Sequence, residues 1–276
     1  LAAGGHSGAL TGQSRAVHAI RDLPEWRDWR AYAPLLQAER AAFAWEWLRR
    51  DPIFRAAALE AVSARRSAGK HEIGEEAKAA RWGLHAFEDP RLAVPDARPV
   101  WTAGRHSFVL KAVAEPCFPG PDAFELGRFA RLATLIHGRW SKPLLLSDGF
   151  RGIRLDVCGT SLSSEAVQLK YELRGIASAR PQLLVLQRLL ALLRTQAFSP
   201  GLQPAERRAS RFVLILRTYD ALQDGADQRT IAAELLSRGA LEKRWRVNSP
   251  SLRSQAQRLV QSAISAAAGG FWDLLQ

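Results

Sequence analysis

Apolar spacing changes period twice along this chain of 276 residues, and that change constrains the fold more than any other feature. In the middle, "HSFVLKAV" (106–113), "KPLLLSDG" (142–149), "GIRLDVCG" (152–159) and "AVQLKYELRG" (166–175) read as strands. The last of these alternates, with Val167, Leu169, Tyr171 and Leu173 on one face. "SDGF" between two of the pieces reads as a hairpin turn. On both sides of this region, apolar residues recur at the three-to-four spacing of helices. The expected fold class is mainly α with a small central β-sheet (α+β). The expected segments are a flexible tail (1–23), a helical N-terminal domain (24–98), a loop-rich segment with the sheet (99–180) and a helical C-terminal domain (181–276).

In the N-terminal segment, Pro34 is placed for a helix start, and Leu35, Leu36, Phe43, Trp47 and Leu48 form an apolar stripe after it. Asp51-Pro52 ends that helix, and "IFRAAALEAVSARRSA" restarts another. Trp26, Trp29, Trp45 and Trp47 lie within a short span. Core packing suits each of these large side chains. A contact surface between domains is the second reading, and a base-stacking platform is a distant third. Pro90, Pro95 and Pro99 then mark a loop-rich connection.

The C-terminal segment reads as a succession of helices. "PQLLVLQRLLALLRTQAF" (181–198) is apolar over much of its surface and reads as a core helix. "PAERRASRFVLILRTYDALQDG" (204–225) turns Phe212, Leu214, Ile215, Leu216 and Tyr219 inward and closes near Gly225. "ADQRTIAAELLSRG" (226–239) looks like the first half of a helix-turn-helix, capped at Asp227. The recognition helix should follow within three or four residues. Instead the next strong start is "NSPSLRSQ", about ten residues later. The turn is therefore long rather than the helix lost.

That last helix (249–270) is amphipathic, with Leu252, Ala256, Leu259, Val260, Ala263, Ile264 and Ala267 on one face. Ser249 or Ser251 is its cap, Pro250 sits in its first turn, and Gly269-Gly270 stops it. Arg253, Ser254, Gln257, Arg258 and Gln261 point elsewhere, and no acidic residue occurs from 249 to 268. Arg pairs bidentately with guanine, Gln with adenine, and Ser reaches phosphate or a base edge. Lys243, Arg244 and Arg246 in the long turn suit backbone contacts, and Arg229 and Ser251 complete the candidate DNA-contact set. A solvated basic helix on a three-helix core is the plain alternative.

Charge agrees with a polyanionic partner. The chain carries 39 Lys and Arg against 27 Asp and Glu, a net +12, of which residues 140–276 hold +8. Cys117 and Cys158 form no paired motif, which fits a reducing cytosol without structural zinc and leaves a single disulfide open. The N-terminus lacks the apolar core of a signal peptide, and no apolar run is long enough to span a membrane. The chain begins at Leu and contains no Met, which leaves open whether its natural start is present. His6, His18, His71, His85, His106 and His137 are scattered without metal-protease spacing, and no phosphate-cradling glycine loop appears. "CGTSLSSE" offers serines beside Cys158 but no base to pair with them. No catalytic residue, metal or cofactor is expected, and no heptad seam indicates an oligomeric state.

Two stretches resemble known families. "RFVLILRTYDALQDGADQRTIAAELL", an extended turn containing "RW", then "SPSLRSQAQRLVQSA" and "GGFWDLL" resemble a proteobacterial domain described as an extended-turn variant of the helix-turn-helix. "DWRAYAPLLQAERAAFAWEWLRRDPIFR" with "RWGLHAFEDP" resembles the transcriptional-regulator-like domain that often precedes it. Proteins with this pair resemble activators of integrative and conjugative element transfer. The resemblance implies a basic face for double-stranded promoter DNA and an opposite face that contacts the N-terminal domain through Trp26, Trp29, Trp45 and Trp47. It also implies an antiactivator protein as a partner, RNA polymerase as the target of activation, and a cytoplasmic location at the nucleoid. Acidic single-domain relatives bind a regulator instead of DNA, which keeps a protein-interaction function as the alternative.

Overall fold

The computed structural model describes residues 23–68, 74–138, 141–162, 166–242 and 244–276. The expected tail therefore lies almost wholly outside the described residues, as do His6, His18, His71 and Lys243.

The architecture is mixed α+β. The N-terminal part opens with a 3-10 helix, Trp29–Gln37, followed by α1 (Arg40–Leu48), α2 (Pro52–Ala68) and the short α3 (Glu75–Ala80). Asp51 caps α2, its carboxylate accepting from the Ile53 and Phe54 N–H groups at 2.8 and 2.9 Å. The single helix expected from Pro34 is corrected. Pro34 lies inside the 3-10 helix, and Ala38 is extended (ψ 152°) before α1 begins. That break lets the Ala38 carbonyl accept the Glu206 N–H at 2.9 Å, while Leu36 stays on the surface.

A six-stranded sheet follows, made of β1 (Val109–Pro116), β2 (Ala123–Phe124), β3 (Ala133–Leu135), β4 (Lys142–Ser147), β5 (Gly152–Gly159) and β6 (Val167–Glu172). Its order is β2-β6-β1-β5-β4-β3, and only β1 and β5 pair in parallel. The four long strands coincide with the four strand-like pieces of sequence. The short edge strands β2 and β3 carry too few residues to show a period. Asp148–Phe150 turns β4 into β5, and at Gly149 (φ +94°) a Cβ would run into the Pro95 carbonyl. Leu173 is exposed beyond the end of β6 instead of continuing its apolar face.

Cross-strand neighbours share a face of the sheet. The row Leu110, Leu155, Leu144 packs with Val185, Leu189 and Leu192 of α4 (Ala179–Thr195). The core-helix reading of this segment is corrected, because Leu183 and Leu190 remain exposed and only one face is covered. The opposite row, Val109, Arg154, Leu145, faces the N-terminal part, where Arg154 Nε donates to the Trp101 carbonyl at 2.9 Å.

The remaining helices are α5 (Ala209–Gln223), α6 (Gln228–Leu235), the single turn α7 (Trp245–Asn248) and α8 (Pro250–Ala267), followed by a 3-10 helix, Gly270–Leu275. Gly225, at φ +78°, ends α5. One apolar core joins the two ends of the chain. Phe43 meets Phe212 edge-on at 5.3 Å, and Trp47 meets Tyr219 at 5.4 Å. No described helix is long and apolar enough to cross a membrane.

Candidate nucleic-acid interface

α5, α6 and α8 pack together around small residues. Ala232 and Ala233 of α6, Ala240 of the turn and Ala256 of α8 form one buried cluster. Alanines there allow close approach of the backbones. Ile231, Ala221 and Trp26 form the adjoining cluster, with Val260 against it. The Asp227 carboxylate accepts the Thr230 N–H at 2.7 Å and fixes where α6 starts.

Between α6 and α8 the chain makes a 3-10 helix, Arg238–Leu241, and then α7. Ser237 Oγ accepts the Gly239 N–H at 3.3 Å. Arg229 reaches across from α6, its Nε donating to the Ala240 carbonyl at 3.0 Å and a second nitrogen to the Leu241 carbonyl. Arg229, expected at the DNA, is thus occupied in holding the turn against α6.

In α8, Ala256, Leu259 and Ala263 are buried, as the spacing requires. Ile264 departs from that expectation at 50% exposure, because it falls at the edge of the stripe. Pro250 occupies the first turn and Ser249 the N-cap position, but the Ser249 side chain makes no capping bond. Ser251 is inside the helix, where its hydroxyl meets Gln255 Nε2 at 3.4 Å. Arg253, Ser254, Gln257 and Arg258 are all exposed. The guanidinium groups of Arg244, Arg253 and Arg258 pair with no described residue, so their charge faces solvent. Arg238, which sequence reading passed over, is exposed in the same turn. Its signal was its place in a segment, 228–268, with seven basic residues and two acidic ones. Arg246 lies in α7, and Lys243 lies outside the described residues.

The four tryptophans part ways. Trp26 packs against the C-terminal helices and donates Nε1–H to Asp224 at 3.1 Å. Trp47 meets Tyr219 of α5. Trp45 points into the N-terminal part, against Phe54 and the Leu92 carbonyl. Trp29 is 57% exposed.

Sequence reading also missed a buried ionic network joining the two ends. Glu46 contacts Arg49 at 2.8 Å and Arg50 at 2.6 Å. Arg50 continues to Asp220 of α5, and the Tyr32 hydroxyl donates to Asp220 at 2.6 Å. Burial opposes the Glu46 charge, but Arg49, Arg50 and the Val94 N–H overcome it and hold its carboxyl at about 2. Burial and the neighbouring Asp220 push the Tyr32 hydroxyl up. The glutamate-arginine spacing in "EWLRR" was the only local signal, and it named no distant partner.

Among the described residues, no group of three or more His, Cys, Asp or Glu is arranged to hold a metal ion, and Cys117 and Cys158 are free. No curated protein and no solved structure matches the chain. Family models match at both ends of it. Residues 25–85 match a proteobacterial transcriptional regulator-like domain. Residues 175–276, from α4 to the end, match the family described as T6SS, transcription factor, DNA binding domain. The two ends of the chain are thus similar to a transcriptional regulator-like domain and to a transcription factor's DNA-binding domain, which supports a DNA-binding regulator.

Proposed function

We propose that this chain is a sequence-specific activator that reads promoter DNA with α8, in an extended-turn variant of the helix-turn-helix. The observation that carries this reading is the outward face of α8. Arg253 and Arg258 pair with no described residue there, Gln257 and Ser254 stand beside them, and no acid lies on the helix. Arg244 and Arg238 of the turn would meet phosphates, as would Lys243 and Arg246. Arg229 acts by positioning the turn. The N-terminal part serves as the regulatory body, held to the DNA-binding part by Trp26, Trp47 and the Arg50–Asp220 contact. It is also the part to which an antiactivator protein would dock, and RNA polymerase is the proposed recipient of activation. A DNA-binding domain supports a cytoplasmic location at the nucleoid.

The proposed target genes are those of mobile-element excision or conjugative transfer. The description of the matched family names T6SS, which adds a second target class. Fluorescence anisotropy against fragments from the protein's own genetic neighbourhood, at two salt concentrations, tests the reading. Roughly 4–6 phosphate contacts predict a log–log salt slope of about −4 to −5. Loss of selective binding in the protein with Arg253→Glu and Arg258→Glu supports the assignment. Equal binding by that variant removes α8 as the reader and favours capture of another regulator.

A further inference from the structure

Leu183, Leu186, Leu190 and Leu193 follow one another in α4 at the three-to-four spacing that gathers side chains into one stripe along a helix. This stripe is not the face that the sheet uses. α4 packs on β1 and β5 through Val185, Leu189 and Leu192, which are buried. Leu183 and Leu190 are 46% and 51% exposed, and Leu186 and Leu193 lie between the two faces, half-buried.

The stripe borders a groove of about 470 Å³. Leu190 and Leu193 stand on one side of it, and Leu169 and Tyr171 of β6 with Phe124 of β2 on the other. Arg128 and Arg194 also line it, both exposed, and neither guanidinium pairs with a described residue. Asp122 is the acid of the lining, so the groove keeps a positive balance. A single exposed leucine needs no explanation, but a row of them beside a groove marks an interaction site. The row spans about 15 Å, and its spacing matches the apolar face of a second helix. Charge decides which helix. α4 carries Arg180, Arg188 and Arg194 and no acid, so two copies of it laid together would bring only cations to their shared rim. Residues 1–22 hold Arg15 and Arg21 against Asp22 alone, so they supply no acidic helix either. A nucleic acid would answer the arginines but leave the leucines in water.

We propose that the open side of α4 docks an acidic amphipathic helix of a partner protein. The partner's apolar residues, three to four apart, lie on Leu183 and Leu190 and enter the groove beside Leu193. Asp or Glu next to them meets Arg194 and Arg128. None of these residues belongs to α8 or to its turn, so the surface stands whether or not α8 reads DNA. A chain that does bind DNA through α8 brings the partner held on α4 to that DNA.

The test titrates the full chain, without DNA, into a fluorescein-labelled helical peptide of about 20 residues. The peptide repeats leucine at three-to-four spacing, with glutamate and alanine elsewhere. A second peptide has lysine in place of every glutamate. The glutamate peptide should bind saturably, and about tenfold more tightly than the lysine peptide. Leu183→Ser with Leu190→Ser, two exposed side chains, should weaken it by about tenfold or more. Arg128→Glu with Arg194→Glu should reverse the preference, so that the lysine peptide binds more tightly. Thermal unfolding of both variants should match that of the unaltered protein. No saturable binding of the glutamate peptide overturns the proposal, as does equal binding of the two peptides. Unchanged affinities in both variants place the peptide elsewhere and overturn the site. Sedimentation of the chain alone checks the remaining occupant: self-association that the leucine variant abolishes makes a second copy the partner and overturns the acidic helix. Loss of DNA binding by the unaltered protein would retire the reading of α8 and leave the peptide result standing.

Discussion

The Arg50 guanidinium meets the Asp220 carboxylate at two points, Nε to Oδ1 and Nη2 to Oδ2, both at 2.8 Å. The two residues are 170 positions apart in the chain, and both are buried. Their contact fixes the register between the end of α1 and the last turn of α5. Asp220→Ala leaves the buried Arg50 with Glu46 alone and takes the acceptor from the Tyr32 hydroxyl, and should cost about 3–5 kcal/mol. Arg50→Met with Asp220→Leu should recover only part of that loss, since apolar packing replaces the pair itself but Glu46 keeps only Arg49 and the Tyr32 hydroxyl loses Asp220. Urea unfolding of the single and double variants measures both effects.

Arg253→Ala or Arg258→Ala should leave the fold intact, because both side chains point to solvent. Either change should weaken binding to the selected fragment by about 1–3 kcal/mol if the residue makes a bidentate base contact. Anisotropy titrations against selected and scrambled fragments check this. An unchanged affinity and preference in both variants would falsify the recognition-helix assignment.

Arg229 and Arg244 should separate by mechanism. If Arg244 meets a phosphate as proposed, Arg244→Ala should lower the magnitude of the salt slope by about 1, without loss of stability. Arg229→Ala removes two bonds to the turn carbonyls and should cost about 1–2 kcal/mol of stability. Its salt slope should stay near that of the unaltered protein. Salt titrations and thermal unfolding, run on both variants, distinguish a contact residue from a positioning one.

Stability should depend on pH through three buried groups of opposite sense. The Glu46 carboxyl is held at about 2, so its contribution is present above its ordinary value and is lost as pH falls from about 5 towards 2. His106 is pushed down to about 3, so the unfolded chain takes a proton that the folded one refuses, and stability falls as pH drops below about 6.5. Glu39, raised to about 7 by burial, works the other way, its contribution being lost as pH rises from about 4.5 through 7. His106→Gln should flatten the acid slope between about pH 4 and 6, by up to about 1.4 kcal/mol per pH unit. Urea midpoints across that range check it, and a slope equal to that of the unaltered protein would count against the assignment.

Gly149→Ala should destabilise the chain by more than about 1 kcal/mol, since the site combines a positive φ with contact against the Pro95 carbonyl. Gly225→Ala, equally positive in φ but in open space, should cost less. The difference in melting temperature between the two variants isolates the close approach from the backbone conformation.

The sequence by itself determined what depends on neighbours along the chain. The four long strands follow from short apolar runs, of which the last alternates, the start of α6 from the Asp227 cap, and the acid-free exposed face of α8 from helical spacing. These are local energies, and a short window of residues contains them. Only the tertiary structure decided which groups share a buried place. It engaged Arg229 with the Ala240 and Leu241 carbonyls of the turn, and it left one face of α4 open although its sequence is apolar over much of its surface. It paired Arg50 with Asp220, and it buried His106 Nδ1 without a hydrogen-bond partner among the described residues. Those outcomes depend on desolvation and on partners supplied by distant segments, and no local period encodes them.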